Sequence, residues 1–165
     1  MDNLLILMYF GEMIDEIDQN LLNTLQDDCR ITNAQLATKL GISPSSCWRR
    51  IKSLEDIGII TGYGAVIDRN VAGFEFSAII HVSLSRQEED TVHEFVNAVN
   101  LRPEILDCYA TTGEADYHLR VAVKDIKQFN QFLDDFLFRV PGVAHVRSNI
   151  ILKDVKSSMK LPFKP

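Results

Sequence analysis

The chain has 165 residues, of which 46% are apolar, and a formal net charge of −6. That length allows one domain or two small ones, and the apolar fraction is ordinary for a chain that buries a core. The acidic balance excludes a general polyanion binder, which is usually basic overall, but leaves room for a local basic surface.

Cys29, Cys47 and Cys108 lie far apart, with no C-x-x-C spacing and no His at metal-ligand distance in sequence. They read as reduced thiols, and neither a metal nor a cofactor is expected. Residues 4–10, LLILMYF, form an apolar run. It is too short to span a bilayer. It also lacks a basic leader and a small-residue cleavage site, so a soluble, cytoplasmic chain is expected, with no membrane association. Met13 opens a segment that looks like the start of a domain. Residues 1–12 read as either a native extension or the product of an upstream start codon, a choice that N-terminal sequencing of the endogenous protein resolves.

From Asp15 to Asp27, Ile17, Leu21, Leu22 and Leu25 make a helical stripe, with acidic residues at the positive helix end. Thr32-Asn33-Ala34-Gln35 is a capping box. The helix it opens turns Leu36, Ala37 and Leu40 inward and ends at Gly41. Only Ile42 and Ser43 precede the next helix. Ser43 caps it, Pro44 suits its first position, and Gly58 ends it. Cys47, Ile51 and Leu54 recur at i, i+4, i+7 on one face. Arg49 points almost directly away from that face. Ser45, Lys52 and Ser53 lie beside it, and Arg50 and Trp48 occupy the flanks. An ordinary amphipathic helix with a solvated basic face fits these residues equally well; the neighbouring helix and the glycine turn make it the second helix of a helix-turn-helix. Ile59–Ile67, β-prone with Gly62 and Gly64, reads as a wing or exit strand. The first unit is expected over 14–63.

Residues 64–76, with Asn70 and Gly73 as turn formers, read as a linker. A second unit follows over 77–155. Ser77–Leu84 is a strand. Ser85-Arg86-Gln87-Glu88 is a capping box, and the helix after it carries Val92, Phe95, Val96 and Val99. Ile105–Thr112 and Tyr117–Val123 are strands joined by a tight turn at Gly113-Glu114-Ala115-Asp116. Asp125-Ile126-Lys127-Gln128 caps a helix with Phe129, Phe132, Leu133, Phe136 and Leu137 inward, and Val143–Leu152 is the fourth strand. The order βαββαβ is that of the ferredoxin-like split βαβ unit. The fold class is α+β: an N-terminal winged helix-turn-helix followed by a ferredoxin-like βαββαβ domain. The basic tail from about Lys153 is expected to be peripheral.

The segments IDQNLLNTLQDD, ITNAQLATKLGISPSSCWRRIKSLEDIGIITGY, GEADY and VPGV, in one register over residues 14 to about 155, resemble the Lrp/AsnC (feast/famine) family of prokaryotic transcription regulators. The SPxxCxRRIxxLExxGII stretch carries most of the specificity; the GxxD turn is weak evidence by itself. The resemblance implies sequence-specific DNA binding, a small amino acid or related metabolite as effector, homodimers, and often octamers of four dimers. It implies a regulator and not an enzyme. The rivals are an effector-binding or oligomer-forming βαββαβ module, or a small enzyme of that fold, without specific DNA binding.

For double-stranded DNA, Arg49 can make a bidentate contact to guanine O6/N7, and Ser45 or Ser46 can reach phosphates or base edges. Arg50 and Lys52 suit phosphates, and Ser43 and Ser53 complete the polar surface. Pairing of Arg50 or Lys52 with Glu55 or Asp56 is the structural alternative. For the effector, a free amino acid needs an anion for its ammonium and donors for its carboxylate. Glu114 or Asp116 can serve the first, and Thr111, Thr112 and the backbone around Gly113 the second, with Tyr109 nearby. The resemblance implies that this turn meets another subunit near the fourth strand, at Ser148–Ile150. A turn whose Asp116 only bonds local backbone is the plain alternative. His81, His93, His118 and His145 are scattered, and no nucleophile is paired in sequence with a base, so no catalytic residue is assigned.

Overall fold

The computed structural model describes residues 14–85 and 89–163. The apolar run at 4–10 and three of the four residues of the box at 85–88 lie outside them. The described residues divide into two compact units, 14–66 with 157–163, and 67–85 with 89–156.

The first unit holds α1 (Glu16–Asp27), α2 (Asn33–Leu40) and α3 (Pro44–Asp56). Asp15 and Asp18 form a capping box at α1, and Thr32 and Gln35 form the expected one at α2. Gly41 ends α2 at φ 67° and Gly58 follows α3 at φ 79°, both in the left-handed region where a side chain is disfavoured. The three helices share a core of Leu21, Leu22, Leu36, Ala37, Cys47 and Leu54. These are the stripe residues read from the sequence, because period 3.6 puts them on facing sides.

No strand forms over Ile59–Ile67. The Ile59 and Ile60 N–H groups both bond to the Leu54 carbonyl, closing the last turn of α3. A β-prone segment becomes a strand only against a second edge, and the described residues of this unit offer none.

The second unit runs β1 (Phe76–Leu84), α4 (Glu89–Asn100), β2 (Ile105–Ala110), β3 (Tyr117–Val123), α5 (Ile126–Asp135), a 3-10 turn (Leu137–Arg139) and β4 (Val143–Ile150). The strands form one antiparallel sheet in the order β2-β3-β1-β4. This is the expected βαββαβ architecture. α4 and α5 cover one face, where Phe95, Val99, Phe129 and Phe132 pack on Ala78, Ile80, Val82, Leu119 and Val121. The second helix stops sooner than its stripe implies: Leu137, still buried, lies in the 3-10 turn. Within this unit the linker is tied down, with Arg69 donating to Asp154 at 2.7 Å.

The tail departs from expectation. Residues 157–163 belong with the first unit, so the second is an insertion between two pieces of the first.

Candidate functional site

The α2–α3 turn fixes the first candidate surface. Ile42 donates to the Ala37 carbonyl at 3.0 Å, and Asn33 Nδ2 donates to the Pro44 carbonyl at 2.8 Å. Both bonds tie the start of α3 to α2. Ser43 Oγ accepts from the Ser46 N–H at 3.2 Å and lies 3.1 Å from Ser45 Oγ. Cys47 and Leu54 are buried, and burial pushes the Cys47 thiol up. That leaves Ser45, Arg49, Lys52 and Ser53 exposed, with Trp48 61% exposed on a flank.

The three cations of this helix have different surroundings. Arg50 Nη1 bridges Asp15 at 2.9 Å and Asp18 at 2.8 Å, across to the start of α1. The Asp18 hydrogen bond raises its pKa and holds it charged. The expected partners for Arg50, Glu55 or Asp56, are therefore replaced by the α1 cap, and Arg50 braces α3 on α1. Lys52 does pair along its own helix, with Asp56 at 3.0 Å, and that bond raises its pKa. Among the described residues, no acidic group lies within salt-bridge distance of Arg49. Farther along, Tyr63 donates to Glu55 at 2.9 Å, and burial, then Glu55, pushes its hydroxyl up to about 12.

The second candidate surface is the β2–β3 turn. Thr111 Oγ1 donates to the Ala115 carbonyl at 3.0 Å, and its N–H to the Asp116 carbonyl at 2.9 Å. Gly113 sits at φ 140° with open space where a Cβ would stand. Its constraint is the backbone conformation, not crowding. The register of β1 and β4 shifts at Ser83/Leu84, and there the Leu84 N–H donates to Asp116 Oδ2 at 2.7 Å. Asp116 thus ties the turn to the β1 backbone, 32 residues away in sequence. Glu114 is exposed and lies 3.6 Å from Arg147. Thr112 is exposed as well.

Tyr109 pairs across with His118, His118 with His81, and His81 with Arg147. Cross-strand partners share a face, so these four form one row on the face opposite α4 and α5. The two imidazoles stack edge to face at 4.4 Å, and Asn149 Nδ2 lies 3.0 Å from His81 Nε2. Burial, then His118 and Arg147, lowers the His81 pKa. In the next row, Asp107 and Arg120 form an ion pair. The histidines looked scattered in the sequence; strand alternation was the signal that puts His81 and His118 on one face. Ser148 departs from the effector grouping. It pairs with Ile80, so it faces the helices and not this row. No group of metal-ligating side chains occurs among the described residues.

The model of the Winged helix-turn-helix DNA-binding family matches residues 14–61, and that of the Lrp/AsnC ligand binding domain matches residues 77–161. The chain is 34% identical over 152 residues to Transcriptional regulator AzlB of Bacillus subtilis, covering 92% of this chain and 97% of that one. It is 34% identical over 154 residues to the Leucine-responsive regulatory protein of Escherichia coli, covering 93% and 94%. Among solved structures, a Neisseria meningitidis transcriptional regulator in complex with L-Met superposes with a TM-score of 0.85 at 37% identity, covering 90% of this chain and 96% of that one. The feast or famine regulatory protein of M. tuberculosis complexed with L-methionine gives 0.79 at 29%, covering 90% and 98%. Both units are matched in one continuous register, helix-turn-helix first and ligand-binding domain second, and on that ground the chain belongs to the Lrp/AsnC family of transcriptional regulators.

Proposed function

We propose that the chain is a cytoplasmic, sequence-specific DNA-binding regulator, not an enzyme, that responds to a small amino acid or related metabolite. α3 enters the major groove. Arg49 reads base edges, Ser43, Ser45, Ser46 and Ser53 contact phosphates or base edges, and Lys52 contributes a screened charge. Arg50 holds α3 against α1 and reaches phosphate only by leaving Asp15 and Asp18. The observation that carries this reading is the exposed Arg49, centred on the solvent face of a braced and capped helix and without an acidic partner among the described residues.

The chain acts as a homodimer, assembled further into octamers. A single α3, with Arg49 its one cation unpaired among the described residues, binds DNA weakly; several copies engaging together multiply that affinity through effective concentration. The effector is held by the β2–β3 turn, Thr111 to Asp116 with Tyr109, completed by another copy. Support for an amino acid comes from the relatives complexed with L-methionine and the leucine-responsive regulator. Effector binding shifts the assembly between states only by its different affinity for each.

A gel-shift titration on the DNA upstream of the protein's own gene tests the reading. A sequence-specific shift that changes with one member of an amino-acid panel is expected. No specific shift at moderate salt, with or without the panel, would overturn it in favour of a sensing or assembly module.

A further inference from the structure

α1 buries Leu21 and Leu22 in the core, and its other side carries Asn23, Gln26 and Asp27. Positions three and four apart on a helix share a face. Here they meet the end of the chain. Gln26 Oε1 accepts from the Leu161 N–H at 2.6 Å, and Gln26 Nε2 donates to the Leu161 carbonyl at 3.1 Å. One side-chain amide thus satisfies both backbone groups of one residue, as a neighbouring strand would. Asn23 Nδ2 donates to the Phe163 carbonyl at 3.3 Å, and Lys160 pairs with Asp27 at 2.6 Å. The Lys160 hydrogen bond holds the Asp27 carboxyl below the usual carboxylate range. The Phe163 ring packs against the core shared by α1, α2 and α3.

The segment is shaped for this contact. Phe163 N–H donates to the Leu161 carbonyl at 3.0 Å, an i to i+2 turn whose central residue is Pro162. Proline fixes φ near the value an inverse γ-turn needs, so little entropy is lost on docking. The approach to it is different: Leu152, Val155 and Met159 are 95%, 92% and 96% exposed. Beyond the Asp154–Arg69 pair the segment is exposed until it reaches Lys160–Phe163, the pattern of a strap with an anchor at its end. A cleft of about 360 Å³ continues the surface, lined by Ile17, Asn20, Thr24, Lys39 and Leu40 beside Asn23 and Asp27.

We propose that the Asn23–Gln26–Asp27 face of α1 is a peptide-docking surface, and that its occupant is Lys160–Phe163 of the same chain. The strap leaves the effector-binding unit as continuous chain and holds the DNA-binding unit through these hydrogen bonds and the Phe163 packing, a second, non-covalent tie additional to residues 64–76. A unit held at two points has fewer orientations to lose on engaging paired half-sites than one held at a single linker.

The test uses the full chain and follows hydrogen exchange at the Leu161 amide and through α1. Leu161 is expected to exchange at least about tenfold more slowly than the amides of Val155 and Lys156, as a bonded amide does against an unbonded one. Gln26→Ala and Phe163→Ala should each erase that difference, with the double variant no worse than the single ones. Equal exchange in the unaltered chain would overturn the docking. For the occupant, Asp27→Lys and Lys160→Asp should each weaken protection, and placing both in one chain should restore it. Restoration by mixing the two single variants in one assembly would overturn the same-chain assignment, since the strap would then come from another copy. Omitting residues 159–165 should weaken binding to a two-half-site DNA by at least about threefold while leaving binding to a single half-site unchanged, as loss of effective concentration predicts. Equal affinities for the two-half-site DNA would overturn the tie. Loss of binding to both DNAs through Arg49→Ala is separate from either result.

Discussion

Arg49 and Arg50 are neighbours in sequence and differ in task because one helical step turns them by about 100°. Arg49→Ala is expected to weaken specific DNA binding by roughly 1–3 kcal/mol and to relax base preference, measured by gel shift against point-altered operators. Arg50→Ala should act instead on stability, lowering the unfolding midpoint of the first unit, because it leaves the Asp15 and Asp18 carboxylates together without their shared cation. Asp116 carries two duties, a β1 backbone bond and the proposed effector contact. Asp116→Ala should therefore abolish effector heat in calorimetry and also destabilise the turn. Unchanged titrations would remove Asp116 from the effector site.

At the scale of the element, the capping chemistry predicts acid sensitivity. The Asp18 N–H lowers the Asp15 pKa first, with Arg50 adding to it, and Lys160 lowers that of Asp27. A carboxyl depressed in the fold stabilises it above the unfolded value, near 3.8, and that stabilisation is lost as pH falls through the depressed value. Circular dichroism of the helical unit should show its midpoint falling across that acidic window, and the dependence should shrink in Asp15→Asn. Thr32→Ala should cost about 1 kcal/mol at α2, the usual loss of a cap. The sheet has the opposite group. His81 titrates below its ordinary value, so the unfolded chain takes up a proton first as pH drops under 6.5. The second unit should lose stability through that range, and His81→Gln should flatten the slope.

For the whole molecule, two separate cores predict two responses to perturbation. Leu36→Ala should cost about 2–5 kcal/mol in the first unit, and its unfolding should move by calorimetry while that of the sheet does not. The Tyr109–His118–His81–Arg147 row lies on the sheet face away from the helices. The chain's net charge of −6 sets a further expectation. DNA affinity should fall steeply with salt in the assembled protein, with a slope set by the number of phosphates all engaged copies neutralise together.

The sequence by itself determined the elements and their inward faces. Periodicity, caps and glycine positions are local, and each helix and strand of both units was legible from them. It also located α3 and Arg49, because a helix end and a helix face depend on residues a turn apart. Pairing across distance was not legible. Arg50 found Asp15 and Asp18 instead of acids on its own helix. The β-prone stretch after α3 had no edge to join. Ser148 turned toward the helices because register, not proximity in sequence, assigns a strand residue to a face. His81 met His118 by the same rule. The tail read as peripheral because it is basic and Pro-containing and its partner is more than a hundred residues away; only the packed first unit supplies the Gln26 amide and the core edge that give Lys160–Phe163 a place to bind.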